Sequence, residues 1–175
     1  MPVADALVSL AAAGLFAAKW TRMIESEWMA SLEARRPDLV GRLGIRRDLM
    51  RDAVPDWEIP ERRWRPFATA LSLPDPDDIH VLAAALAGHA DCIVTANTRD
   101  FPADVVEPLG IEVIHPDRFI LAQWDLDALA VVSAFKRMRA RLKRPEATPD
   151  DFAASLERAG LAATAQRLRD AADLI

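Results

Sequence analysis

The chain has 175 residues, of which 51 % are hydrophobic and 28 % charged, and its formal net charge at pH 7 is −5. This composition favours a compact protein of one domain plus a small addition, and it argues against a generally basic phosphate-binding protein. No run reaches the roughly 18 apolar residues of a membrane span, and the single cysteine, Cys92, indicates a buried thiol in a reducing compartment. We therefore expect a cytoplasmic protein that does not enter membranes.

Helices alternate with short apolar strands over the first two thirds of the chain. Apolar residues at helical spacing predict helices over residues 5–18, about 21–35, 37–54 and 61–71. Short runs rich in β-branched or aromatic residues predict strands at residues 57–59, 92–94 and 111–114. This alternation is typical of an α/β fold, with a mostly parallel sheet between layers of helices.

The remainder of the chain is wholly helical. Apolar residues at helical spacing predict helices over residues 117–142, 150–159 and about 161–173. Thr148, Pro149 and Asp151 are typical of a capping box at the start of the second of these helices. We therefore predict two domains, residues 1–116 and residues 117–175.

An acidic helix start lies at residues 75–78, which read DPDD. Asp75 is expected to be the helix N-cap, Pro76 the first helical residue, and Asp78 the last member of an acidic capping box. Carboxylates at this end of a helix also interact favourably with the helix dipole. The aspartates can therefore serve the helix alone, without binding any metal.

A second polar group follows the strand predicted at residues 92–94, where Thr95, Asn97 and Asp100 come in quick succession. Ligands of α/β sheets bind beyond the carboxyl ends of the strands. We therefore expect Asn97 and Asp100 to approach Asp78, in an arrangement that suits a metal ion.

Two runs, DIHVLAAA at residues 78–85 and TANTRDF at residues 95–101, resemble the second half of a PIN domain, the metal-dependent nuclease fold of VapC-type toxins. The longer run LPDPDDIHVLAAA, which begins at residue 73, is similar to a PIN subgroup with a helical C-terminal extension. The resemblance covers roughly residues 3–120. It implies a three-layer α/β/α fold with a short, mostly parallel sheet, followed by an all-helical extension.

The resemblance also implies a site of clustered carboxylates that hold one or two Mg²⁺ or Mn²⁺ ions. Asp78 and Asp100 fall on ligand positions of the family motif. A further ligand is a glutamate of the second helix, for which Glu27 fits best and Glu25 is the alternative. Auxiliary polar groups of this metal site are expected from Asn97, Asp77 and Thr95.

A PIN domain opens with an apolar strand that ends in an aspartate, the first metal ligand of the family. This chain begins MPVAD and continues directly into its first predicted helix. We therefore expect the first central strand and its aspartate to be missing, and the isolated chain to be an impaired nuclease. Either another chain supplies a strand, by β-augmentation or by exchange, or the true start codon lies upstream.

The resemblance predicts a Mg²⁺- or Mn²⁺-dependent endoribonuclease, the toxin component of a type II toxin–antitoxin system, acting on single-stranded RNA or tRNA. Its partners would be a cognate antitoxin, able to donate a strand, and further copies of the chain. The alternative is a non-catalytic, degenerate PIN scaffold that binds an antitoxin or RNA. An unrelated α/β hydrolase or phosphatase is disfavoured, because the chain has no G-x-S-x-G motif and no phosphate-binding glycine loop.

Overall fold

The computed structural model describes residues 2–143 and 146–175. These residues form two compact units: one comprises Ala17–Val113, and the other combines the chain up to Phe16 with Ile114–Ile175. None of the helices in the described parts of the chain is long and apolar enough to span a membrane. The predicted sequence boundary between residues 116 and 117 stays a prediction, because the compact units do not follow the order of the chain.

The unit that comprises residues 17–113 is of the α/β class. Its helices are α2 (Arg22–Arg35), α3 (Leu43–Ala53), α4 (Glu61–Ala68), α5 (Ile79–Ala87) and α6 (Ala103–Val106). Strand β1 (Cys92–Val94) lies at the predicted residues, and β2 (Glu112–Ile114) begins one residue later than predicted. In the described residues β1 and β2 pair in a short parallel sheet. The α/β fold with a helical C-terminal part is thereby confirmed.

The strand expected at residues 57–59 is reduced to an isolated parallel bridge between Trp20 and Glu58. Its two hydrogen bonds run from the Trp20 N–H to the Trp57 carbonyl, at 2.8 Å, and from the Ile59 N–H to the Trp20 carbonyl, at 2.9 Å. Only Trp20 of the partner segment pairs with residues 57–59. The β-branched and aromatic residues of this stretch therefore form a bridge and not a strand.

Helix boundaries in this unit follow local capping chemistry. Helix α2 begins as predicted, because Thr21 Oγ1 accepts the Ile24 N–H at 3.1 Å. The single helix expected over residues 37–54 is wrong: a 3₁₀ turn at Pro37–Leu39 precedes α3, which begins only at Leu43. Between them Gly41 adopts φ +73°, a left-handed conformation that interrupts the helix and that glycine accepts at little cost.

Helix α5 is packed on two sides. One side buries Leu82 in a cluster with Ile93 of β1 and with Phe101. The other side consists of alanines (Ala83, Ala84 and Ala87), which pack against Ile59 and Trp64. These contacts hold the start of α5 in place relative to β1, and the acidic residues lie at that start.

The end of α5 depends on a close approach to Ile59. A Cβ on Gly88, the residue after the helix, would lie 2.9 Å from Ile59 Cδ1 and 3.1 Å from the Ala84 carbonyl oxygen. The helix stops where the sequence predicts. Gly88 has φ −90°, so packing explains this glycine and a left-handed backbone does not.

The second compact unit is mostly helical in the residues that the structure describes, with an isolated antiparallel bridge between Lys143 and Glu146. Its helices are α1 (Pro2–Ala12), α7 (Pro116–Leu126), α8 (Ala128–Ala140), α9 (Pro149–Arg158) and α10 (Ala162–Asp170). Helix α1 ends six residues before the predicted residue 18, and Ala6 and Leu10 on it are completely buried in the core of this unit. The predicted capping box of Thr148 and Asp151 is confirmed at the start of α9.

The continuous helix expected over residues 117–142 is wrong, because Asp127 divides it into α7 and α8. The Asp127 carboxylate accepts the Ala130 N–H at 2.9 Å and so caps α8. A second aspartate, Asp117 of α7, accepts the N–H groups of Ala163 and Thr164 at 2.9 and 2.8 Å. Asp117 thereby satisfies free donors at the start of α10, which has no side-chain cap of its own.

Candidate metal centre

Three carboxylates meet in the unit that comprises residues 17–113. Asp75, Asp78 and Asp100 each offer an oxygen, and these oxygens all lie within 4.8 Å of one another. Asp75 and Asp78 belong to the turn that leads into α5, and Asp100 ends a 3₁₀ turn that follows β1. The approach of Asp78 to Asp100 beyond the carboxyl end of β1 is therefore present, as the sequence leads us to expect. We call these three residues the aspartate cluster.

Asp75 and Asp78 differ in what they do for the helix. Asp75 Oδ1 accepts the Asp77 N–H at 2.9 Å, as expected of an N-cap. The expectation that Asp78 completes a capping box is wrong, because its side chain makes no capping hydrogen bond. Helix capping thus explains Asp75 but leaves the carboxylate of Asp78 without that role.

Asp78 lies in a setting that disfavours its charged form. Partial burial raises its pKa, and the adjoining Asp100 carboxyl and the charge of Asp75 raise the pKa further, whereas His80 acts in the opposite direction. A carboxylate with two acidic neighbours is costly to ionise unless a cation joins them. The electrostatics therefore favour a bound positive ion.

The donor atoms of the aspartate cluster fit a hard divalent cation. All three ligand groups are carboxylates, and Mg²⁺ and Mn²⁺ prefer oxygen donors. Structural zinc sites use thiolates and imidazoles, which the cluster does not contain. One ligand is exposed and two are partly buried, so the site is open to solvent on one side. The residues present thus suit magnesium or manganese.

The turn after β1 sets the position of Asp100. Thr95 Oγ1 accepts the Asn97 N–H at 3.1 Å, which closes the turn. The Asn97 side-chain amide in turn donates to the Asp100 carboxylate. Thr95 and Asn97 therefore support the aspartate cluster indirectly. Asp77, the other predicted auxiliary residue, is exposed and its carboxylate is outside the cluster.

The two candidate glutamates of α2 lie in different surroundings. Glu25 is buried, and it accepts the Trp20 indole N–H at 3.0 Å and the Arg51 Nε–H at 3.0 Å, with a second contact to Arg51 Nη2. Glu27 is half exposed, and its Oε1 lies 2.8 Å from His80 Nε2. Neither glutamate belongs to the aspartate cluster. Glu25 is thus already engaged by cationic and polar donors, whereas the Glu27 side chain is 47 % exposed.

Two residues near the site were not assigned to it from the sequence. Asp75 was expected to be a cap only, although its spacing of three residues from Asp78 suits two carboxylates on one tight turn. His80 is a buried polar residue on an otherwise apolar helix. The available signal for His80 was a polar residue that interrupts an apolar helical stripe two positions after a candidate ligand.

Comparison with known families identifies the family of the chain. The PIN domain model matches residues 5–99, which is more than half of the chain, and the chain belongs to the PIN domain family. Within that family its C-terminal part is of a particular type, because residues 116–170 match the VapC50 C-terminal domain. The resemblance to VapC-type PIN proteins with a C-terminal extension is thus confirmed.

One curated relative is similar to part of the chain. VapC50 of Mycobacterium tuberculosis (strain ATCC 25618 / H37Rv), a protein named as a ribonuclease, is 51 % identical over 49 residues. That alignment covers 28 % of this chain and 29 % of the relative, so it spans less than a third of either protein. No solved structure matches the chain at a significant level.

Proposed function

We propose that this chain is a Mg²⁺- or Mn²⁺-dependent endoribonuclease and the toxin component of a type II toxin–antitoxin system. The observation that carries the proposal is the convergence of Asp75, Asp78 and Asp100 at the carboxyl end of β1 in a PIN-family chain. The ribonuclease name of the relative VapC50 supports the same reaction class.

The proposed ligands are Asp78 and Asp100, with Asp75 from the same cluster and Glu27 from α2. When bound, a divalent metal ion stabilises negative charge on phosphodiester oxygens and makes water easier to deprotonate. The chain contributes the positioning: packing of α5 fixes Asp78, and Asn97 holds Asp100 through its side-chain amide. Asp75 is exposed, so this side of the aspartate cluster is open to solvent.

The described acidic residues bring three carboxylates together, and the family resemblance implies a further one. Each additional carboxylate raises the affinity of such a site for cations. We therefore expect the affinity for the metal ion to fall when any one of these carboxylates is neutralised. In a non-catalytic scaffold, the alternative function, binding of RNA or of an antitoxin would persist without any metal-dependent cleavage.

The substrate class and partners follow from the same proposal. We propose single-stranded RNA or tRNA as substrate, a cognate antitoxin as partner, and the cytoplasm as the location. In the described residues β1 and β2 pair only with each other, so a strand from an antitoxin or a second copy has an edge to join. Residues 1–116 would form the nuclease domain and residues 117–175 the extension.

The test is cleavage of single-stranded RNA in Mn²⁺ by the wild-type chain and by Asp78→Asn and Asp100→Asn. Both variants are expected to lose metal-dependent cleavage, because each neutralises a proposed ligand. Asp104→Asn is the matched control, since Asp104 is an exposed aspartate of α6 outside the aspartate cluster. Undiminished cleavage by both cluster variants would contradict the proposal.

A further inference from the structure

His80 lies at the start of α5, two residues after Asp78, and is almost fully buried. Its Nε2 lies 2.8 Å from Glu27 Oε1, although the alignment is not that of a hydrogen bond. Its Nδ1 has no hydrogen-bond partner among the described residues. The imidazole is thus paired with the carboxylate of Glu27 through Nε2.

Packing restrains the imidazole far more than it restrains the glutamate. The Trp64 indole of α4 lies against it, with ring centroids 6.1 Å apart and the two planes tilted by 55°. Glu27 keeps 47 % of its side-chain surface exposed. An exposed glutamate samples several rotamers, and fixing it costs about 1–2 kcal/mol of side-chain entropy. A contact with an immobile ring reduces that freedom before any ligand binds.

The burial of the His80 imidazole has a free-energy cost that some interaction must offset. Burying a polar group with few partners is unfavourable, and an aliphatic residue at this position would pack among the alanines of α5 without that cost. The contact with Glu27 gives the imidazole a polar partner. It also joins α2 to the start of α5, where Asp78 is the N-cap residue.

We propose that His80 is a positioning residue that holds the Glu27 carboxylate towards the aspartate cluster, so that Glu27 completes the ligand set for a divalent cation. The inference rests on the proposed function, because it takes Glu27 as a ligand. Residues that orient a metal ligand typically contribute about tenfold to a hundredfold to metal affinity when they are removed by mutation.

The test measures Mn²⁺ affinity of the whole chain without RNA, by electron paramagnetic resonance titration of free Mn²⁺. His80→Leu removes the polar contact and is expected to weaken Mn²⁺ binding by about tenfold. His80→Gln restores affinity close to wild type, because its amide nitrogen can occupy the position of Nε2. His89→Asn is the control, since His89 is an exposed histidine beyond the end of α5.

A double-mutant comparison shows whether His80 acts through Glu27. In a Glu27→Gln background, His80→Leu should cause no further loss, because the group that His80 positions is already neutralised. Far-UV circular dichroism checks folding, and His80→Asn, too short to reach Glu27, replaces His80→Leu if the leucine variant does not fold. His80→Asn is expected to lose as much Mn²⁺ affinity as His80→Leu.

The outcomes separate this inference from the proposed function. Wild-type affinity in His80→Leu, or an equal loss in the Glu27→Gln background, would overturn the positioning role while the metal centre stands. A wild-type chain that binds no Mn²⁺ would instead overturn the metal centre, and the role of His80 with it.

Discussion

Glu25 and Asp78 are both carboxylates withdrawn from water in the same compact unit, yet their neighbours have opposite charges. Glu25 is buried beneath the Arg51 guanidinium, which also stacks over the Trp57 ring at 4.7 Å, and accepts the indole N–H of Trp20. Asp78 has two further carboxylates, those of Asp75 and Asp100, within 4.8 Å. Among the described residues, Glu25 is paired with a cationic side chain and Asp78 is in no ion pair.

This difference separates a structural carboxylate from a binding one. A buried acid with a bidentate arginine is neutralised locally and needs nothing from solution. An acid whose pKa is raised by burial and by acidic neighbours is disfavoured in its charged form in the folded chain. Perturbed, uncompensated groups are typical of functional sites, so the aspartate cluster and not the glutamate of the ion pair is the candidate site.

The largest expected effect comes from removing the cation of the structural pair. Arg51→Met should lower the free energy of unfolding by about 3 kcal/mol, because it leaves the buried Glu25 charge without its partner. Urea denaturation of the metal-free chain measures this. Arg47→Met is the control: its ion pair with Asp48 is more exposed and is expected to contribute about 0.5 kcal/mol.

The double variant Glu25→Gln with Arg51→Met sharpens this prediction. Neutralising both partners removes the unpaired charge, so much of the lost stability should return. If Arg51→Met and Arg47→Met cost the same, the contrast between a compensated buried acid and ordinary surface pairs would be lost.

At the aspartate cluster, removing a charge is expected to raise the free energy of unfolding and not to lower it. Asp78→Asn should raise the stability of the metal-free chain at neutral pH, because it removes a charge that burial and its acidic neighbours disfavour. The same change should weaken Mn²⁺ binding by at least about tenfold. Thermal unfolding with and without Mn²⁺ measures both effects, with Asp104→Asn as the control. Destabilisation of the metal-free chain by Asp78→Asn would show that its charge is compensated after all.

The pH dependence of stability tests the same contrast by titration. Since the pKa of Asp78 is raised in the folded chain, the folded state binds this proton before the unfolded state as pH falls. The wild type should therefore gain stability relative to Asp78→Asn between neutral pH and the ordinary aspartate pKa of about 3.9. Urea denaturation of both chains without metal across this range is the measurement. If the stability advantage of Asp78→Asn over the wild type grew as the pH fell, the raised pKa of Asp78 would be contradicted.

Local sequence signals predicted the elements that depend on local chemistry. Strand β1 and the capping box of Thr148 and Asp151 occur at the predicted residues, because each is determined by side chains within a few positions. The convergence of Asp78 and Asp100 was also predictable, since ligands of α/β sheets bind beyond the carboxyl ends of the strands and Asp100 lies in the turn after β1. Site assignments beyond this geometry stay predictions.

Features that depend on tertiary contacts could not be predicted from local sequence. An aspartate inside a helical pattern can face solvent or cap a new helix, and only the structure shows that Asp127 does the latter. Whether Glu25 or Glu27 is available as a ligand depends on Arg51, 26 residues from Glu25 along the chain. No local pattern links those two residues. The buried contact of His80 with Glu27 likewise joins two separate helices.

The smallest expected effect on stability is that of Asp75→Asn, which separates the helix-capping role of Asp75 from its role in the aspartate cluster. Asparagine caps helices about as well as aspartate, so Asp75→Asn should keep the hydrogen bond from the Asp77 N–H and change stability by less than about 0.5 kcal/mol. It removes one charge from the aspartate cluster, and Mn²⁺ affinity should fall, though less than in Asp78→Asn, because Asp75 is exposed. Urea denaturation and Mn²⁺ titration of the same preparation give both values. Loss of stability with unchanged Mn²⁺ affinity would assign Asp75 to the helix alone and reduce the candidate site to Asp78 and Asp100.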